Sequence, residues 1–247
     1  MKKSLLVLSL LAAAATQAQA YQTEVMGEVG FAEDVTTAAL GATYYFAPVT
    51  VKDQPHEEAA FLNRNSSAGL AVGYMDIDGV GDSTAVGAAL NYFVPATQFY
   101  VGASLAKSTE SDTPTVYELN VGFLPVNGLL LTAGVVGATS TDTTDSTSDA
   151  VVGAKYVAQL ASGNFYNLEG KVGFGDGKPV TIGGDYYVDN TFGIGAAYSD
   201  NLDNDFKRDG TFEVRAKKFL SPMMAIGGSV STTDGDVGVA VNWTGRY

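Results

Sequence analysis

The sequence contains no cysteine. Disulfides, thiolate metal sites and a lipid-bearing cysteine behind a leader are therefore all excluded. It contains one histidine, His56. Nucleophilic hydrolases rely on a histidine base set beside a nucleophile, and a metal site needs three or four converging ligands. His56 next to Glu57 and Glu58 supplies neither, because neighbours in sequence rarely converge on one ion, so no enzyme, metal or cofactor is expected. Bases are scarce, with 14 Lys+Arg against 27 Asp+Glu and a net charge of −13. A nucleic-acid partner, which needs a basic patch, is excluded on that ground. Beyond the first residues no apolar run approaches the roughly 18–20 residues of a membrane-crossing helix. If this chain enters a bilayer it does so as a closed barrel, since lipid cannot satisfy an open sheet edge.

What is present begins with Lys2 and Lys3, an apolar run over 5–15, and the small-x-small triplet Ala18-Gln19-Ala20. These are the three parts of a secretory signal peptide. The expected division is a leader at 1–20 and a mature barrel at 21–247, exported to the outer membrane of a gram-negative cell.

After the leader the texture is uniform. Segments of about ten residues alternate large apolar with small or polar residues, and Gly, Pro, Asn and Asp clusters separate them. The expected strands are 22–31, 36–46, 67–76, 83–93, 98–108, 115–123, 129–139, 149–160, 165–174, 179–188, 192–200, 210–219, 223–232 and 236–247. The fold class is thus all-β: a transmembrane, antiparallel, up-and-down β-barrel of about 14 strands. Membrane-crossing strands need about 9–11 residues, against 5–6 in soluble sheets. Tight connections at Pro95-Ala96-Thr97, Pro125-Val126-Asn127-Gly128, Ala161-Ser162-Gly163-Asn164, Asp189-Asn190 and Ser221-Pro222 alternate with more acidic ones. That alternation puts Asn127 and Ser221 in the periplasm, and Thr143 and Asn204 outside.

One row of each strand is apolar, as in Leu70, Val72, Tyr74 or Val237, Val239, Val241, Trp243. Aromatic residues gather beside the tight turns, among them Tyr44, Tyr45, Phe46, Tyr92, Phe93, Phe99, Tyr100, Tyr186, Tyr187, Phe192 and Phe219, the position of a membrane-interface belt. By parity the opposite row carries Glu24, Glu28, Glu118, Lys155, Glu169, Lys171, Asp185, Glu213, Arg215, Lys217 and Arg246. Mid-membrane charge on a lipid face costs about 2–4 kcal/mol for a base, so these side chains belong to a wet lumen. The candidate pore lining is Glu118, Lys155, Glu169, Lys171, Asp185, Glu213, Arg215 and Lys217. Six inward acids nearly balance five bases, which predicts a lumen of weak ion preference.

The other motifs have plainer readings. Asp76-x-Asp78-Gly79-x-Gly81-Asp82 and Asp200-x-x-Asp203-x-Asp205 lack EF-hand spacing and read as solvated turns. Gly173 to Gly177 lacks the Lys-Ser/Thr and helix of a phosphate loop. The stretch 53–65 breaks the strand pattern. Pro55, Glu57 and Glu58 suggest a helix start that Ala59 to Leu62 continue for about two turns. It could narrow the periplasmic mouth or tuck into the lumen; the preferred reading is an ordered long turn without a gating role.

The segment Glu58-Ala59-Ala60-Phe61-Leu62-Asn63-Arg64-Asn65-Ser66-Ser67, just after Tyr44-Tyr45-Phe46, together with the texture from leader to terminal Tyr247, resembles the putative general bacterial porin family of gram-negative outer membranes. The resemblance implies passive diffusion of small hydrophilic solutes and ions, and assigns no catalytic residue. The alternative is a non-conducting structural or adhesive barrel with a plugged lumen. Expected partners are outer-membrane lipid and lipopolysaccharide, the barrel-assembly machinery through the last strand ending in Tyr247, and a homo-oligomer.

Overall fold

The computed structural model describes residues 20–141, 145–175, 177–202 and 210–247. The leader up to residue 19, Thr143, Asp203, Asn204 and Asp205 lie outside the described residues.

Alternation over long segments leaves each strand one apolar and one polar face, and a ring of such strands segregates the two faces while pairing every edge. The chain forms β1 (Ala20–Phe31), β2 (Val35–Thr50), β3 (Ser67–Ile77), β4 (Gly81–Phe93), β5 (Phe99–Ser108), β6 (Thr115–Val126) and β7 (Leu129–Ala138). It continues with β8 (Thr147–Gln159), β9 (Phe165–Gly175), β10 (Pro179–Asp189), β11 (Phe192–Asn201), β12 (Thr211–Ser221), β13 (Met224–Thr233) and β14 (Asp236–Arg246). Each pairs antiparallel with its sequence neighbours, and β1 pairs with β14 to close the barrel. The ring therefore has fourteen strands, as expected.

The register places the apolar rows together on the outside. Leu40, Val72 and Val86 stand in line across β2, β3 and β4, and Val29 stands beside Val241 across the seam. Leu70, Val121, Ile182 and Val241 are 69%, 63%, 62% and 61% exposed. A band of aliphatic side chains bared to this degree suits lipid and would be a severe aggregation liability in water. Trp243 lies over Gly27, where any Cβ would collide with the indole, so the seam is covered by one large ring.

Ala20, Tyr247 and the connections after the even-numbered strands share one end of the barrel, here called the terminal end. The opposite end is the loop end. Two boundaries differ from expectation by three residues or more. β2 runs on to Thr50 because Ala20 and Tyr21 pair with Thr50 and Val49 beyond a bulge in β2, where residues 45–48 face Gln22 alone. β6 runs through Pro125 and Val126, leaving only Asn127 and Gly128 as the turn. The longest connection among the described ones, 51–66, lies at the terminal end, and the loop end has tight links of its own at 32–34, 78–80 and 234–235, so the two ends are not divided simply into short and long.

Candidate lumen and the segment that enters it

The buried core cluster of this barrel is not spread along the wall, although Val151 on β8 is buried nearer the loop end. It sits at the terminal end, where Tyr21, Tyr45, Val49, Val51 and Ala59 cluster with Ala60 and Met223 against them. The cluster exists because the 51–66 connection folds inward. Pro55, His56, Glu58, Ala59 and Asn65 are buried. The helix α1 (Ala59–Leu62) is a single turn beginning after Glu58, with no acid in its first turn. It is shorter than the two turns expected and starts later than Pro55, because the chain around Pro55 and His56 is held by the wall rather than by helical bonds.

The segment leaves from β2 and returns to β3, yet its partners lie across the ring. Glu58 accepts hydrogen bonds from Lys155 Nζ on β8 (2.9 and 3.2 Å) and from Tyr187 Oη on β10 (2.8 Å). Glu57 pairs with Lys217 on β12 at 3.4 Å. The His56 amide donates to the Asn190 carbonyl at 2.8 Å. Its carbonyl accepts from Arg246 Nη1 on β14 at 2.9 Å, and its ring meets Phe219 edge-on at 5.3 Å. In a closed ring of fourteen, β9 and β10 stand opposite β2 and β3. Touching β8, β10 and β12 from β2 requires crossing the lumen. The reading of 53–65 as a simple long turn is therefore corrected: it occupies the terminal mouth.

The aromatic residues near this end form two sets. Tyr44, Phe46, Tyr92, Phe99 and Tyr186 lie in the outward rows, as an interface belt requires. Tyr45, Tyr100, Tyr187 and Phe219 lie in the inward rows, and three of these pack or bond the entering segment or the cluster around it. Counting them all in the belt overlooks their parity.

The eight residues expected to line a pore fall on the inward rows, and most are joined into one network. Arg215 Nε and Nη2 donate to both oxygens of Asp185 at 2.9 and 2.8 Å. Asp185, Gly195 and Arg215 are in register on three adjacent strands, and a Cβ at Gly195 would strike the Asp185 carboxylate. Glycine there lets the pair close over the intervening strand. Arg215 also lies 3.5 Å from Glu213 and 3.7 Å from Glu169, which stands 3.8 Å from Lys155. Lys171 reaches Glu118 at 2.8 Å across β7 and β8. Arg246 meets Glu24 at 2.6 Å across the seam and stacks on Tyr21 and Phe219.

The expected lining lacks three luminal acids, two of them beyond the reach of strand parity. Glu57 and Glu58 arrive on the entering segment. Asp149, buried on the inward row of β8, accepts from the Gly177 amide at 3.1 Å near the loop end. With Glu57, Glu58 and Asp149 the six inward acids become nine, while the entering segment adds Lys52 and Arg64 to the five bases, so acids exceed bases by two rather than one. The inward rows of β2 to β5 differ in kind. They consist of Gly, Ala, Ser, Thr, Asn and a few larger neutral residues, with no charge. Ala39, Ala71, Ala85, Ala89, Asn91 and Ser104 on that wall are exposed although they face inward.

The barrel resembles the crystal structure of the Acinetobacter baumannii outer membrane protein Omp33, with a TM-score of 0.77, 22% identity, and coverage of 94% of this chain and 100% of that one. The KdgM porin aligns at 14% identity and a TM-score of 0.49 over 91% of this chain and 99% of its own. Salmonella typhi OmpF, solved as a complex with Daunomycin, aligns at 9% identity and 0.49 over 91% and 96%. No curated protein sequence matches the chain. The family model described as "Putative general bacterial porin" matches residues 1–136, more than half of the sequence and about half of the ring, and the chain belongs to that family.

Proposed function

We propose that this barrel is an outer-membrane channel through which small hydrophilic solutes and ions diffuse passively, with no catalytic step. The observation that carries this reading is the asymmetric lumen. An uncharged wall of small residues on β2 to β5, open to water, faces the charged network on β9 to β12 across the ring. Small side chains leave cross-section for a passage, and the charged wall orders water and solutes beside it. Under this reading the leader is removed after Ala20, the outward aliphatic band meets lipid, the ends of the barrel meet lipopolysaccharide and the periplasm, and the last strand with Tyr247 serves insertion. The outward rows leave room for a homo-oligomer.

One observation favours a second reading. The 51–66 segment fills the terminal mouth, which suits a plugged, non-conducting barrel with a structural or adhesive role. Purified protein in a planar bilayer separates the two. Discrete conductance steps are expected, and their absence from a correctly folded preparation would leave the plugged barrel in its place.

A further inference from the structure

We infer that the passage selects cations, with Glu28 as the carboxylate a permeating cation meets free of any base. This deepens the channel reading and rests on it.

The pairing of the luminal bases is the first ground. Lys155, Lys171, Arg215, Lys217 and Arg246 each already lie within 3.4 Å of a carboxylate. An anionic solute entering this lumen finds no uncommitted base among the described residues of the inward rows. To bind one it would have to break a pair, leaving the displaced carboxylate uncompensated in a confined, low-dielectric wall.

The acids are in surplus on the same surface. Glu169 is shared between two bases at 3.8 and 3.7 Å, distances that leave its outer face open to solvent. Arg215 stands among three carboxylates. Glu28, on the inward row of β1 opposite Asn242 and Ala39, is exposed and makes no hydrogen bond or ion pair among the described residues. The neutral wall of β2 to β5 supplies no positive counterweight. Confined charge of one sign focuses the field and raises the local concentration of counter-ions. Glu57 and Glu58 bring the same sign to the terminal mouth, where Lys52 and Arg64 of the same segment are the opposing bases, so the uncountered acid of the inward rows is Glu28, further up the wall.

The test is the reversal potential of the purified full-length barrel in a planar bilayer under a KCl gradient. At about 0.1 M salt the potassium-to-chloride permeability ratio is expected to reach about threefold or more. It should shrink toward unity near 1 M, where the Debye length is about 3 Å. Glu28→Lys should lower the ratio, and Glu28→Gln should lower it less; heat-modifiable gel migration certifies that each variant is folded. Conductance steps with a ratio at or below one would overturn cation selection while leaving the channel intact. A selective wild type whose ratio neither variant changes would overturn the assignment to Glu28. Absence of steps altogether would instead count against the channel reading itself.

Discussion

Glu58 shows how one side chain is committed by its surroundings. Its carboxylate is buried, and it serves two donors from opposite-wall strands, the Lys155 ammonium and the Tyr187 hydroxyl. Removing the acceptor strands a buried tyrosine hydroxyl and loosens an ammonium that retains only Glu169 at 3.8 Å. Glu58→Ala should weaken docking of the 51–66 segment by about 1–3 kcal/mol. A cysteine placed at Ala60, where the segment packs on the inner cluster, reports this as faster thiol labelling, with roughly a tenfold change for each 1.4 kcal/mol. Equal rates with and without Glu58 would show that the ion pair does not hold the segment. Neither the burial nor the partners of Glu58 can be read from the sequence. It lies outside any strand, so parity says nothing of its direction, and Lys155 is 97 residues away. The inward aromatics could have been read. Tyr45, Tyr187 and Phe219 sit on otherwise polar rows next to turns, which signals that something large packs inside that end.

At the scale of elements, the entering segment is fastened at His56 by groups that titration can disturb. Burial, followed by the nearby Arg246 guanidinium, holds the His56 imidazole below its ordinary pKa, against an opposing pull from Asp189. Lys218 adds to the lowering, and Glu57 and Glu58 are its chain neighbours. The docked ring is therefore neutral, whereas a released ring takes up a proton near the ordinary value of about 6.5. Docking is strongest above that pH and weakens as the pH falls through it toward the depressed docked value. Labelling of a cysteine at Ala60, taken relative to one at exposed Asn127 so that the loss of thiolate at low pH cancels, should be faster at pH 5.5 than at pH 7.5, and His56→Gln should flatten the difference. A relative rate that does not change with pH when His56 is intact would rule out the linkage. The strands themselves were legible to within a few residues, because period-two alternation is a local signal. The departures have non-local causes. β2 is longer because β1 pairs with its extension beyond a bulge, and the single turn of α1 is placed by wall contacts from across the ring.

For the whole molecule, the closed ring followed from combining two legible facts: the alternation, and the lack of any helix-length apolar run. Orientation in the membrane is a separate matter. Both ends carry tight turns, and the longest described connection lies at the terminal end, so connection length alone is a poor guide. The expectation that Asn127 and Ser221 face the periplasm, with Thr143 and Asn204 outside, can be checked in a chain without native cysteine. Single cysteines at Thr143 or Asn204 should react with an impermeant thiol reagent on intact cells, and those at Asn127 or Ser221 only after lysis. Equal labelling at Thr143 and Asn127 would refute the orientation.

The seam between β1 and β14 also bears on the order of events in time. Glu24 and Arg246, which meet across it, are 222 residues apart in the chain. The edge of β1 therefore has no native partner until the last strand has been delivered, and every arc made before then has two raw edges that lipid cannot tolerate. Closure must be the final step. The stretch matched by the family model ends within β7 and would form such an arc. The portion of this chain that is similar in sequence to its family is thus not a portion that could mature in a membrane without the rest.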